Sequence, residues 1–124
     1  MIFDLDEVLA IHRFLIEEFG GSLGIRDQGL LEAALGRPMQ TFDGDELYPT
    51  PEEKAAAILE SIVVNHPFID GNKRLGYVLM RMVLLDAGLD LDASQDEKYQ
   101  LVIEVAKGAL SFSDIAKWIN ENIK

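Results

Sequence analysis

Cysteine is absent from the 124-residue chain. Disulfide staples, thiolate zinc sites and a cysteine nucleophile are thereby excluded, and a reducing compartment is compatible. Basic residues are scarce, with 11 Lys and Arg against 22 Asp and Glu and a formal net charge of -11. A field of that sign repels nucleic-acid phosphates unless the few bases are gathered locally, so direct nucleic-acid binding is not expected as a main activity. The opening segment MIFDLDEVLA carries acids where a secretory signal carries bases, and it has no uninterrupted apolar run able to span a bilayer. A cytoplasmic protein with no membrane association is expected.

What is present suits a globular protein. Hydrophobic residues make up 48% and charged residues 27% of the chain. At this length a single domain, 1–124, buries roughly two thirds of the surface of its unfolded chain.

Helical spacing dominates. In DLDEVLAIHRFLIEEFGG (4–21), Leu5, Val8, Leu9, Leu15, Ile16 and Phe19 share a stripe, Asp4 and Glu7 form a capping-box-like start, and Gly20 and Gly21 a stop. His12 falls on the stripe and has no second ligand near it in sequence. A packed histidine hydrogen-bonded to backbone accounts for it better than a catalytic or metal role. RDQGLLEAALGRP (26–38) reads as a short helix capped by Asp27 and ended by Gly36 and Pro38. MQTFDGDELYPT (39–50) has no helical period and reads as a loop or small hairpin, either functional or a plain solvated connector.

Thr50, Pro51 and Glu53 open an alanine-rich helix through TPEEKAAAILESIVVNH (50–66). DGNKRLGYVLMRMVLLDAG (70–88) combines an Asp70 cap with an apolar run from Leu75 to Leu85 that Arg81 interrupts and Gly88 stops. It is too short to span a membrane and is expected to be the central buried helix. Capping boxes at Ser94 to Glu97 and Ser111 to Asp114 open two further helices. The expected fold class is all-α, one compact domain of six helices.

The chemistry concentrates in NHPFIDGNKRLG (65–76), a bend between two helices. A helix N-terminus offers free N–H groups and the positive end of the macrodipole. Gly71 lets an anion approach the backbone, Asn72 can donate from its amide, and Lys73 and Arg74 add charge to the same turn. Two cations in a first turn oppose the dipole at a cost of about 0.3 to 1 kcal/mol each, a term that a bound anion reverses. His66 can take a proton from an attacking hydroxyl, and Asp70 can hold Mg2+ against phosphates. Phe68 is expected to point inward and pin the bend. Without a ligand, the same residues read as a cap (Asp70), a turn glycine (Gly71) and solvated polar groups (Asn72, Lys73, Arg74).

HPFIDGNKR (66–74) resembles the signature loop H-x-F-x-[D/E]-[G/A]-N-x-R of the Fic/Doc (Fido) superfamily, and the likeness extends to FGGSLGIRDQGLLEAALGRP before it. The chain looks most like the Doc, or "death on curing", toxin branch of toxin-antitoxin modules. The resemblance implies a six-helix Fido fold with a central buried helix, His66 as general base, Asp70 as the Mg2+ ligand, and ATP phosphates held by Gly71, Asn72, Lys73 and Arg74. It makes 39–50 the flap that docks a target polypeptide.

Typical AMP-transferring Fic enzymes have glycine at the position of Lys73 and arginine at that of Tyr77. Lysine looks like the Doc branch, in which the terminal phosphate faces the target hydroxyl and the enzyme is a protein kinase. The implied function is transfer of the γ-phosphate of ATP to a Thr or Ser hydroxyl of a translation factor, elongation factor Tu, with His66, Asp70 and Lys73 as the catalytic set. The alternatives are an AMP transferase and a module that mainly binds its antitoxin as a co-regulator. No in-chain inhibitory helix of the (S/T)-x-x-x-(E/D)-(G/N) kind is evident, so control is expected from a separate Phd-like antitoxin.

Overall fold

The computed structural model describes residues 3–124; Met1 and Ile2, the first residues of the MIFDLDEVLA segment, lie outside it. Six helices are present among the described residues: α1 Leu5–Phe19, α2 Gln28–Gly36, α3 Pro51–Asn65, α4 Asn72–Asp86, α5 Gln95–Ala106 and α6 Phe112–Glu121. A single 3-10 turn, Arg37–Met39, prolongs α2. The segment that follows is a small antiparallel hairpin, β1 Thr41–Phe42 paired with β2 Asp45–Glu46. Its two-residue turn uses Asp43 and Gly44, at φ 53° and 85°, where an Asp-Gly pair is favoured because both positions require positive φ. Among the described residues no helix is long and apolar enough to cross a membrane.

The caps explain where most helices begin. Thr50 accepts from the Glu53 N–H and Pro51 takes the first helical position of α3. Both capping boxes form in full, Ser94 with Glu97 and Ser111 with Asp114. Asp27 accepts from the Leu30 N–H at 2.9 Å. At α1 the expected box does not form: Asp4 is the cap, but it accepts from the Asp6 N–H rather than pairing with Glu7.

A central buried helix exists, and it is α3 rather than α4. Ala55, Ala56, Ala57, Ile58, Leu59, Ile62 and Val63 are fully buried, and α3 packs on α2, α4, α5, α6 and the 3-10 turn. Small residues allow this by letting neighbours approach from several sides. Helix α4 buries one stripe, Leu75, Leu79, Met80, Val83 and Leu84, but exposes Lys73, Arg74, Arg81 and Leu85. It approaches α3 closely at Gly76, where an added Cβ would stand 2.7 Å from Val63 Cγ2.

Candidate functional site

The bend between α3 and α4 begins with His66 in the left-handed region, φ 49° and ψ 60°. The glycine-rich segment between α1 and α2 lies along it as a strap. Pro67 O accepts from the backbone N–H groups of Arg26 at 2.8 Å and Asp27 at 3.0 Å, Ile25 bridges Phe68, and the Ile69 N–H donates to Gly24 O at 3.0 Å. The Arg26 side chain donates to the carbonyls of Asn65 and His66. Glycines permit this closeness: a Cβ on Gly21 would lie 2.7 Å from Asp70 Oδ2, and one on Gly24 2.7 Å from Ile69 Cδ1.

From the core side, Phe68 is 1% exposed and stacks on His12, with ring centroids 3.8 Å apart at 14°. His12 is buried and its Nε2 donates to Asp70 O at 2.8 Å, so the histidine of α1 is a structural one, bonded to backbone as read from its place on the stripe. The carbonyl can only accept, which puts the proton on Nε2.

Two sequence expectations need correction. Asp70 does not cap α4. The cap is Gly71, at φ 80°, and it provides no side-chain hydrogen bond. The Asp70 carboxylate instead accepts from the Gly71 N–H at 2.9 Å through Oδ1 and from the Ser22 N–H at 3.2 Å through Oδ2. Asn72 is not a solvated side chain. It is buried, its Oδ1 accepting from the Phe68 N–H at 3.0 Å and its Nδ2 donating to Phe68 O at 2.9 Å. Its side chain therefore staples the loop, while the residue still lines the cavity between α4 and α5, with a second Nδ2 hydrogen and the backbone of the first turn left to a ligand.

The remaining groups meet in one cavity of about 530 Å3. His66, Asp70, Gly71, Asn72, Lys73 and Arg74 line one side, and Tyr77 of α4 with Gln95, Lys98 and Tyr99 of α5 the other. Among the described residues, neither the His66 imidazole nor the Lys73 ammonium has a hydrogen-bond or ion-pair partner, and both are exposed. Arg74 lies over Phe19, its guanidinium carbon 4.1 Å from the ring centroid. Phe19, read as part of the apolar stripe of α1, is 60% exposed and serves as a platform for a cation.

Chemically, the cavity combines an unpartnered imidazole, a carboxylate with lone pairs to spare, a helix start with no side-chain cap and an exposed ammonium. That set suits a polyphosphate and a hydroxyl brought beside it. The α5 contribution was missed from sequence. Gln95, Lys98, Tyr99, Val102 and Ile103 recur at i, i+3, i+4, i+7 and i+8, one helical face, but that spacing also describes an ordinary half-buried stripe.

The hairpin is tied down near its base. Arg37 donates to Tyr48 Oη at 2.9 Å, Glu60 Oε1 at 2.9 Å and Ser61 Oγ at 3.0 Å. Burial works against its charge, and the bonds to Tyr48 and Glu60 more than offset this, raising its pKa above the ordinary arginine value. At the tip Phe42 is left 74% exposed.

Residues 2–84 match the model of the Fic/DOC family. The chain is 40% identical over 104 residues to the protein named Toxin Doc of Mycolicibacterium smegmatis, an alignment covering 79% of this chain and 77% of that protein. It is 30% identical over 111 residues to the protein kinase doc of Escherichia phage P1, covering 90% of this chain and 86% of the phage protein.

Proposed function

This chain belongs to the Fic/DOC family, and on that premise we propose that it is the toxin of a toxin-antitoxin module and acts as a Doc-type protein kinase. Its substrates in this reading are ATP and a Thr or Ser hydroxyl of a translation factor, elongation factor Tu. Modification of that factor stops protein synthesis in the cytoplasm until a Phd-like antitoxin binds.

The observation that carries the reading is the pair of unpartnered groups in one cavity, the His66 imidazole and the Lys73 ammonium, flanking the uncapped start of α4. In the reaction His66 removes the proton of the target hydroxyl. The hydroxyl oxygen forms a bond to the γ-phosphorus, the bond from that phosphorus to the β,γ-bridging oxygen breaks, and ADP leaves with the electron pair. The backbone N–H groups beside Gly71, with Lys73 and Arg74, stabilise the charge that spreads over the transferred phosphoryl oxygens. Asn72 contributes by holding the turn in shape, through its two bonds to Phe68.

The donor set fits magnesium. Each Asp70 oxygen accepts one backbone N–H and keeps a further acceptor site, and among the described residues no three His, Cys, Asp or Glu side chains converge on one point. One carboxylate beside a phosphate pocket is what this metal takes, in contrast to ions held by all-protein cages. When bound, magnesium supplies charge neutralisation on the phosphates.

Labelled ATP tests the reading. Transfer of label from the γ but not the α position to the translation factor, lost in His66→Ala, is the expected result. Transfer from the α position would make the protein an AMP transferase, and transfer from neither, with growth inhibition unaltered in His66→Ala, would leave antitoxin binding as its activity.

A further inference from the structure

His66 holds a backbone conformation that its own sequence neighbourhood disfavours. Its left-handed angles, φ 49° and ψ 60°, are costly for any residue with a Cβ. The next residue is Pro67, and a proline disfavours helical angles in the residue before it. Proline also lacks the N–H that, one position past the left-handed residue, bonds back to the last turn of the helix. The His66 N–H makes no cap bond either, so among the described residues the end of α3 lacks the backbone bonds by which such a turn is usually held.

The strap supplies a side chain instead. Arg26 Nε donates to His66 O at 2.6 Å and Nη2 to Asn65 O at 2.6 Å. These carbonyls belong to the two peptide groups on either side of the His66 Cα. Fixing the orientation of both planes fixes φ and ψ of the residue between them, and the planar, charged fork of an arginine can engage both at once. Its charge also faces the negative end of the α3 macrodipole. Backbone bonds from Arg26 and Asp27 to Pro67 O extend the grip to a third consecutive residue.

We propose that Arg26 is a positioning residue for His66: by clamping the peptide planes before and after it, the guanidinium determines where the imidazole stands in the cavity. This rests on the reading of His66 as the base. Arg26 touches no reacting atom and does not line the cavity. Its effect on chemistry runs entirely through the backbone of its neighbour.

The test uses the full chain with Arg26→Ala and Arg26→Lys, each read by turnover and by NMR of the imidazoles, of which the protein has only two. In Arg26→Ala, turnover should fall about a hundredfold, as for a base displaced by about an ångström, with the KM for ATP changed less than about twofold. The His66 signals should shift or broaden while those of buried His12 stay, and added guanidinium should restore part of the turnover. Arg26→Lys, which keeps the charge but not the fork, should stay closer to Arg26→Ala than to the parent. Parent-like turnover and parent-like His66 signals in a folded Arg26→Ala would overturn the proposal, and if that variant does not fold, the same result in Arg26→Lys would do so. Should the parent transfer no phosphate, the kinase reading fails by itself, and the His66 signals of the variants still decide whether the clamp exists.

Discussion

The buried imidazole of His12 donates from Nε2 to the backbone oxygen of Asp70 across 2.8 Å, while its ring face stacks on Phe68. Helix α1 thereby grips the loop from the core side as the strap grips it from outside. His12→Phe keeps the ring contact but removes the donor and leaves the Asp70 carbonyl unpaired. A loss of about 1 to 3 kcal/mol is expected for such a group. Urea unfolding should show a lower midpoint with an unchanged slope; a parent-like midpoint would count against the bond.

The close approach of α3 and α4 at Gly76 predicts an overpacking effect. Gly76→Ala would put a methyl group 2.7 Å from Val63 Cγ2. Destabilisation of about 1 to 3 kcal/mol follows from forcing extra volume into a packed contact. The double variant Gly76→Ala with Val63→Ala should recover part of it in thermal unfolding, because the clashing methyl is then gone. Additive losses would show that the two sites do not meet.

The Arg74 guanidinium on Phe19 predicts a binding effect. Phe19→Ala removes an exposed cation–π contact worth about 0.5 to 1 kcal/mol, so the KM for ATP should rise a few-fold with turnover little changed. Phe19→Tyr should restore it. If Phe19→Ala leaves the KM unaltered, Arg74 does not depend on this platform to reach its ligand.

Acid should act on the far end of α4. The bond from Arg81, with help from the Leu91 N–H, lowers the Asp90 pKa from 3.8 to about 2. A carboxyl depressed in the folded state adds stability above its unfolded pKa and loses it as pH falls through the folded value. The Arg81–Asp90 pair, at 3.0 Å, is part exposed and screened by solvent, so it is worth no more than about 1 kcal/mol. Asp90→Asn should flatten the stability profile between about pH 4 and 2 and leave the pH dependence above that range unchanged. The capping carboxyls Glu97 and Asp114, also lowered, by their bonds to Ser94 and Ser111, should keep a residual acid slope.

How much of this was legible in the sequence depended on whether the information was local. The starts of α3, α5 and α6 were readable because Thr50, Ser94 and Ser111 bond groups three residues on. The loop HPFIDGNKR was recognisable as a motif, and His12 and Phe68 were correctly read as packed. Asp70 was misread as a cap because its Oδ2 is satisfied by Ser22, 48 residues away, a partner no local rule supplies. The burial of Asn72 was missed for a related reason: an amide two residues past an aspartate looks solvent-facing until Phe68 folds beneath it. The apolar run of α4 also looked more central than α3, whose alanines carry little hydrophobic signal yet allow neighbours to pack closely on several sides. Arg26 and the α5 face matter only once the chain has folded back on itself.

The central claim is that the transferred group is a phosphoryl and that Lys73 belongs to the machinery that moves it. Intact-mass analysis of elongation factor Tu after incubation with the protein, ATP and magnesium tests this most directly. The factor should gain the mass of one phosphate per molecule, with no gain for His66→Ala and a greatly slowed gain for Lys73→Ala. A gain equal to one AMP, or a phosphate gain that is the same with and without the Lys73 ammonium, would contradict the account.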